Sequence, residues 1–227
     1  MSKPVRPEAR LPLRLYLRNA FAPARCMGCL REGVWLCSEC RQQLTLRPDE
    51  TDIKRYISAG PYSFEAIRRG IHWLKFKGIR DVAPALALLL ADRFLRVNTF
   101  SVLQTEAILI PIPLHPRKER QRGFNQSKLI AEALSTLIGI DLSDALIRTK
   151  STWTQSLLPM EMREQNAGGA FAIRREPLQL TPLQHRKYWI LLDDVATSGA
   201  TLQAAANALE EIRPEHTQVW FATVARG

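Results

Sequence analysis

Long apolar runs are missing from this sequence. The longest, Val82 to Ala91, is bracketed by Asp81 and Asp92, and it is far shorter than the roughly 20 residues a membrane-crossing helix needs. Near the N-terminus, Arg14 and Arg18 interrupt the apolar residues from Leu11 to Phe21, which does not fit a secretory signal. Cysteine is scarce, with four in 227 residues, and without an export signal a disulfide framework is not expected. Histidine is equally scarce, and His72, His115, His185 and His216 show neither triad order nor metal-ligand spacing. All four are read as non-catalytic. Internal repeats and long low-complexity linkers are absent, which excludes solenoids and extended tethers. Together these absences predict a cytoplasmic protein with no membrane span. The basic, amphipathic stretch from Leu11 to Ala22 suits contact with a membrane surface or a partner, but such a segment is more often a terminal helix packed on its own domain.

Apolar residues and positive charge are both plentiful. Hydrophobic residues make up 46% of the chain, enough for a sizeable core in one or two domains. Thirty-two basic against 22 acidic residues give a net charge of +10, which attracts polyanions such as nucleotides, pyrophosphate and nucleic acid. One basic cluster is Arg117, Lys118, Arg120 and Arg122; a second, around Arg174, Arg175, Arg186 and Lys187, reads as a solvated loop.

The segment from Ile190 to Leu202 is the most informative. An apolar strand, Tyr188 to Leu192, ends in two adjacent carboxylates, Asp193 and Asp194. A small hydroxyl-rich turn follows, and then a helical pattern with Leu202, Ala205, Ala206, Leu209 and Ile212 on one face. Such a turn lies at the C-terminal edge of a parallel sheet and opens a helix, where backbone N–H groups and the helix dipole attract phosphate. Ala196, Thr197, Ser198, Gly199, Ala200 and Thr201 form the expected phosphate site: Gly199 lets the backbone approach, and the hydroxyls donate. Asp193 and Asp194 stand about one sugar width away, where carboxylates accept bonds from vicinal hydroxyls and help hold Mg²⁺. A ribose 5-phosphate moiety fits that order. Helix capping alone explains one polar residue at the boundary, not two acids, three hydroxyls and a glycine.

The cysteines follow C-x₂-C-x₇-C-x₂-C spacing: Cys26, Cys29, Cys37 and Cys40. Two such pairs place four thiolates around one ion, which suits tetrahedral, structural Zn²⁺ with no open position. An iron–sulfur cluster is the alternative metal. Trp35 and the nearby Arg25, Arg31 and Arg41 suit either a nucleic-acid or protein contact surface or, for Trp35, packing of the knuckle itself. Elsewhere the pattern alternates. Tyr56 to Phe64 reads as a strand, then helices over Ala66 to Lys77 and Val82 to Val97, a strand over Ala107 to Pro113 and a basic loop over Leu114 to Gly123. A helix capped by Asn125 or Ser127 carries Leu129, Ile130, Ala133, Leu134, Leu137 and Ile138 on one face, and Thr217 to Val224 is the last strand. The alternation implies an α/β fold with parallel pairing and right-handed crossovers. Lys150 to Gly169, with Pro159 and two glycines, reads as a mobile lid.

The Asp193-to-Thr201 run resembles the phosphoribosyl-pyrophosphate (PRPP) motif of type I phosphoribosyltransferases. Arg122-Gly123-Phe124-Asn125-Gln126-Ser127 resembles the RGFNQ signature of one branch, the ComF/GntX family, linked to DNA uptake and utilisation in bacteria. Arg148-Thr149-Lys150 with Gln155, Arg163 to Asn166 and Ala170-Phe171 also match, as does the four-cysteine module. Ser198 stands where many members carry Thr and keeps the hydroxyl. The resemblance implies a type I phosphoribosyltransferase-like parallel sheet flanked by helices over residues 51–227, preceded over 1–50 by a basic segment and a zinc knuckle. It implies that Arg117, Lys118, Arg120 and Arg122 hold pyrophosphate, and that Mg²⁺ accompanies PRPP. The implied reaction is displacement at ribose C1: Asp193 and Asp194 position the ribose and its metal, while Arg122 and its neighbours neutralise the departing pyrophosphate. No base-recognition pocket marks the acceptor. The other functional class is a non-catalytic module that senses a sugar phosphate and contacts single-stranded DNA or a helicase-like DNA-uptake partner. Pyrophosphate release distinguishes the two.

Overall fold

The structure, a computed structural model, describes residues 23–45, 55–149 and 169–227. The expectations placed on Leu11 to Ala22, on Lys150, Gln155 and Arg163 to Asn166, and on most of the Lys150–Gly169 lid lie outside those residues. Five strands form one parallel sheet: β1 (Tyr56–Pro61), β2 (Ala107–Pro111), β3 (Asp141–Leu142), β6 (Tyr188–Ala196) and β7 (Gln218–Arg226), in the order β1-β7-β6-β2-β3. Two short strands, β4 (Leu146–Arg148) and β5 (Phe171–Ile173), pair antiparallel beside it. The fold is thus α/β with a parallel sheet, as the alternation of apolar strands and amphipathic helices predicts.

Both faces of the sheet are covered, which is why its central strands are apolar throughout. One layer holds α2 (Glu65–Lys77), α3 (Ala83–Phe94) and α6 (Gln126–Ile138), packed over Ile57, Leu109, Ile190, Leu192 and Val224. The other holds α8 (Ala200–Leu209), over Ile108, Ile110, Trp189 and Leu191. The described α-helices also include α1 (Ser38–Thr45), α4 (Phe100–Glu106), α5 (Pro116–Arg122) and α7 (Pro177–Gln184). Among the described residues no helix is long and apolar enough to cross a membrane.

Two of the differences from the sequence pattern bear on the site. The basic segment expected as a loop contains α5. Pro116 starts it, the His115 imidazole caps it by accepting from the Arg117 N–H at 3.2 Å, and Gly123 ends it at φ +80°. Charged residues hid that short helix because it buries no side chain. Strand β6 runs through both acids to Ala196, four residues beyond Leu192, because β7 continues beside it with Asp193 opposite Thr223 and Val195 opposite Ala225.

The cysteine module docks onto the main layer. Met27 is fully buried in the same core as Ile67 and Leu86, and it reaches α2 at Gly70, where a Cβ would lie 2.7 Å from its sulfur. Arg69 of α2 donates to the Met27 and Gly28 carbonyls at 2.7 and 2.9 Å. Arg41 of α1 makes a two-pronged pair with Asp92 of α3 at 2.6 and 2.8 Å.

Candidate functional site

Strand β2 stops at Pro111, opposite Leu192. The next two residues of β6, Asp193 and Asp194, therefore project past it at the C-terminal edge of the sheet. The two acids meet different partners, one from α2 and one from the start of α6. Asp194, on the side of Ile190 and Leu192, pairs with Lys75 of α2 at 2.7 Å. Asp193 accepts from the Ser127 hydroxyl at 2.7 Å and from the Asp194 backbone N–H at 2.8 Å. Burial, and then repulsion from Asp194, push the Asp193 carboxyl up to about 7, against the pull of Lys75 and Ser127.

The signature residues 122–127 explain how α6 reaches the acids. Asn125 is the N-cap: its Oδ1 accepts from Ser127 and Lys128 N–H groups, and its Nδ2 donates to the Ile112 carbonyl at 3.0 Å. That ties the helix start to the end of β2 and aims Ser127 at Asp193. Arg122 donates to Gln126 at 2.5 Å, and Phe124 lies 4.9 Å beneath the Arg80 guanidinium. Of the two cap candidates, Asn125 caps and Ser127 serves the acid.

A cavity of about 200 Å³ opens over the pair, lined by Lys75, Lys118, Gln126, Arg148, Asp193, Asp194 and Thr201 among others. Its cations press on one another. The Lys118 ammonium is held below its usual range by burial and then by Arg148 and Arg122. The Arg148 guanidinium lies 5.2 Å over the Phe171 ring; burial lowers it while the Asp193 charge raises it. Three cations gathered around a buried acid pair lower their mutual repulsion when an anion binds. Lys118, though exposed, lines the cavity, and Arg122 stands half-buried on Gln126, whereas Arg117 and Arg120 are exposed on α5 and do not line it.

The turn lies next to this cavity. Gly199 has φ +75° and starts α8, and a Cβ there would meet nothing within 4 Å, so backbone conformation rather than crowding calls for glycine. Ser198 turns its hydroxyl to the Ala200 N–H at 3.4 Å. Ala196, Thr197, Ser198, Gly199 and Ala200 line a neighbouring cavity of about 800 Å³ with Tyr56, Phe221 and Arg226, while Thr201 lines the smaller one. The acids and the turn thus share one sheet edge but open onto adjoining spaces. Lys75 was not anticipated. Its signal was a lysine four residues after Ile71, on the apolar stripe of α2.

The four thiols of Cys26, Cys29, Cys37 and Cys40 lie within 4.8 Å of one another. Cys26–Cys37 and Cys29–Cys37 sulfurs are 3.7 Å apart, far beyond a disulfide bond. Tetrahedral zinc with Zn–S near 2.3 Å places its sulfurs about 3.8 Å apart, so the cluster could hold a zinc ion. Gly28 makes room: a Cβ there would lie 2.6 Å from the Cys40 sulfur. Burial raises the Cys26 thiol, but N–H groups of Cys37, Cys29 and Gly28 outweigh it and bring it down to about 6. Burial and the neighbouring thiols push Cys40 up to about 12. Trp35 stacks edge-on against Trp73 of α2 at 5.9 Å, and Arg25, Arg31 and Arg41 each pair with an acid. Trp35 and Arg41 thus pack the knuckle against α2 and α3, while the Arg25 and Arg31 pairs are exposed at the surface. None of the four histidines lines the acid cavity.

This is an α/β protein with a buried acid pair and a glycine turn at one sheet edge and a four-thiol cluster beside it. It is 34% identical over 151 residues to DNA utilization protein YhgH of Shigella flexneri, covering 66% of this chain and 63% of that protein's length. It is 32% identical to YhgH of Salmonella typhimurium over 86% of each chain. Competence protein F of Haemophilus influenzae is 29% identical over 86% of this chain and 88% of its own. The chain belongs to the ComF family. No protein-family model matches it.

Proposed function

We propose that this chain binds PRPP, or a related sugar phosphate carrying pyrophosphate, at the end of β6 and acts in DNA uptake or utilisation. The observation that carries the ligand reading is the convergence of Asp193, Asp194, Lys118 and Arg148 on one cavity beside the Gly199 turn. In this reading the 5-phosphate rests on the turn from Ala196 to Thr201, the ribose hydroxyls donate to Asp193, and pyrophosphate meets Lys118, Arg148 and Arg122. Carboxylate oxygens suit Mg²⁺, which would travel with the pyrophosphate and shield its charge. Enzymatic transfer would then be displacement at C1, with Arg122 and its neighbours stabilising the leaving group. The names of the relatives support the cellular role. The cysteine cluster acts as a structural zinc site holding the Met27 face against α2.

Calorimetric titration of the zinc-loaded full chain with Mg²⁺-PRPP tests the ligand reading. Saturable binding lost in the Asp193→Asn/Asp194→Asn double variant is expected. A folded wild type that gives no heat with PRPP would overturn it. Release of pyrophosphate with an added base or nucleic acid then marks an enzyme, and binding without release marks a sensing module.

A further inference from the structure

A lysine is costly on the buried stripe of a helix, because its ammonium gives up hydration and its long chain gives up rotamers. Lys75 holds such a place in α2, on the face of Ile67, Ile71 and Leu74. Its partner explains it. The ammonium lies 2.7 Å from Asp194 Oδ2, with 21% of the lysine side chain and 3% of the aspartate exposed. Asp193, by contrast, is met by a neutral hydroxyl from Ser127. The remaining charged groups facing the pair are Lys118 from α5 and Arg148 from β4. Two adjacent carboxylates without such a partner would invite a divalent ion, and Mg²⁺ would need the same oxygens at about 2.0–2.1 Å.

We infer that Lys75 is a positioning residue: a tethered cation that occupies Asp194 in place of a divalent ion and leaves Asp193 to meet ligand hydroxyls. The acid pair then takes up no divalent metal by itself. Any metal at the site arrives on the phosphates of the ligand. Only the identity of that ligand rests on the proposed function; the exclusion of free metal does not.

Mn²⁺ alone, with no sugar phosphate, is the probe. Its uptake by the full zinc-loaded chain is followed by electron paramagnetic resonance, since the hard ion does not compete for thiolates. Wild type is expected to take up no ion at the acid pair. Lys75→Met should gain one ion per chain, at least about tenfold tighter than anything in wild type, and adding Asp194→Asn should remove it. Lys75→Gln is measured alongside, because a methionine buried beside a lone carboxylate works against folding, and Lys75→Arg should behave as wild type. Wild-type uptake that Asp194→Asn abolishes, or no gain in the folded Met and Gln variants, overturns the inference. A chain that excludes Mn²⁺ through Lys75 yet ignores PRPP would sink the PRPP reading alone. One that binds PRPP but loads Mn²⁺ freely would sink only the role of Lys75.

Discussion

The cysteine module and the acid cavity are built on opposite principles. The module draws all four thiols from 15 consecutive residues, Cys26 to Cys40, and its internal geometry follows from two tight knuckles and Gly28. The cavity draws on α2 for Lys75, α5 for Lys118, α6 for Ser127, β4 for Arg148 and β6 for its acids. One is a local structure that a metal can organise by itself; the other exists only once a sheet has formed. The two meet at α2, whose Arg69 and Gly70 hold the module and whose Lys75 holds Asp194.

Removing the metal should separate them most forcefully. Structural zinc in small modules is worth about 10–16 kcal/mol of apparent binding free energy, so chelation should abolish amide-exchange protection over residues 23–45. Protection retained there after complete chelation would show that packing, not metal, holds the module. Met27→Ala tests the contact in the other direction. Truncating a fully buried methionine costs about 2–5 kcal/mol, and this variant should keep its zinc while losing stability in urea melts. Loss of zinc instead would mean that docking shapes the thiol cluster.

Within the cavity, pH sharpens the contrast between the two acids. The Asp193 carboxyl stands near 7 in the folded chain and near 3.9 when unfolded, so the folded form holds a proton the unfolded form has released. That contribution is complete below the unfolded value and is lost as pH rises through about 7. Asp193→Asn should therefore be more stable than wild type at about pH 8, by on the order of 1–3 kcal/mol, with no advantage below about pH 4. A gain that grew toward acid would contradict a protonated Asp193. The smallest effect belongs to Ser127→Ala, which removes one buried hydroxyl bond to Asp193 and should cost about 1 kcal/mol. It should also weaken PRPP binding, and unchanged affinity would place the ligand elsewhere.

Much of this was legible in the chain. Strands β2 and β6 were visible as apolar runs because both faces of their sheet are buried, and α6 and α8 as stripes of helical period. The four cysteines announced their cluster through spacing alone. What stayed hidden was of two kinds. Helix α5 carries no buried side chain, so hydrophobic period could not mark it. Lys75 lies 119 residues from Asp194 (194 − 75), and nothing local links a lysine in one helix to an acid in a distant strand.

The sequence by itself determined the α/β alternation, the thiol cluster, the turn at Gly199 and the adjacency of the two acids, because each depends on neighbours a few residues apart. Tertiary structure alone decided that the acids are unequal. Both partners come from the same helical layer, where α2 offers Asp194 a lysine and the start of α6 offers Asp193 a hydroxyl. Which partner each receives depends on crossover topology and on where β2 ends, and those are settled only when the strands pack side by side.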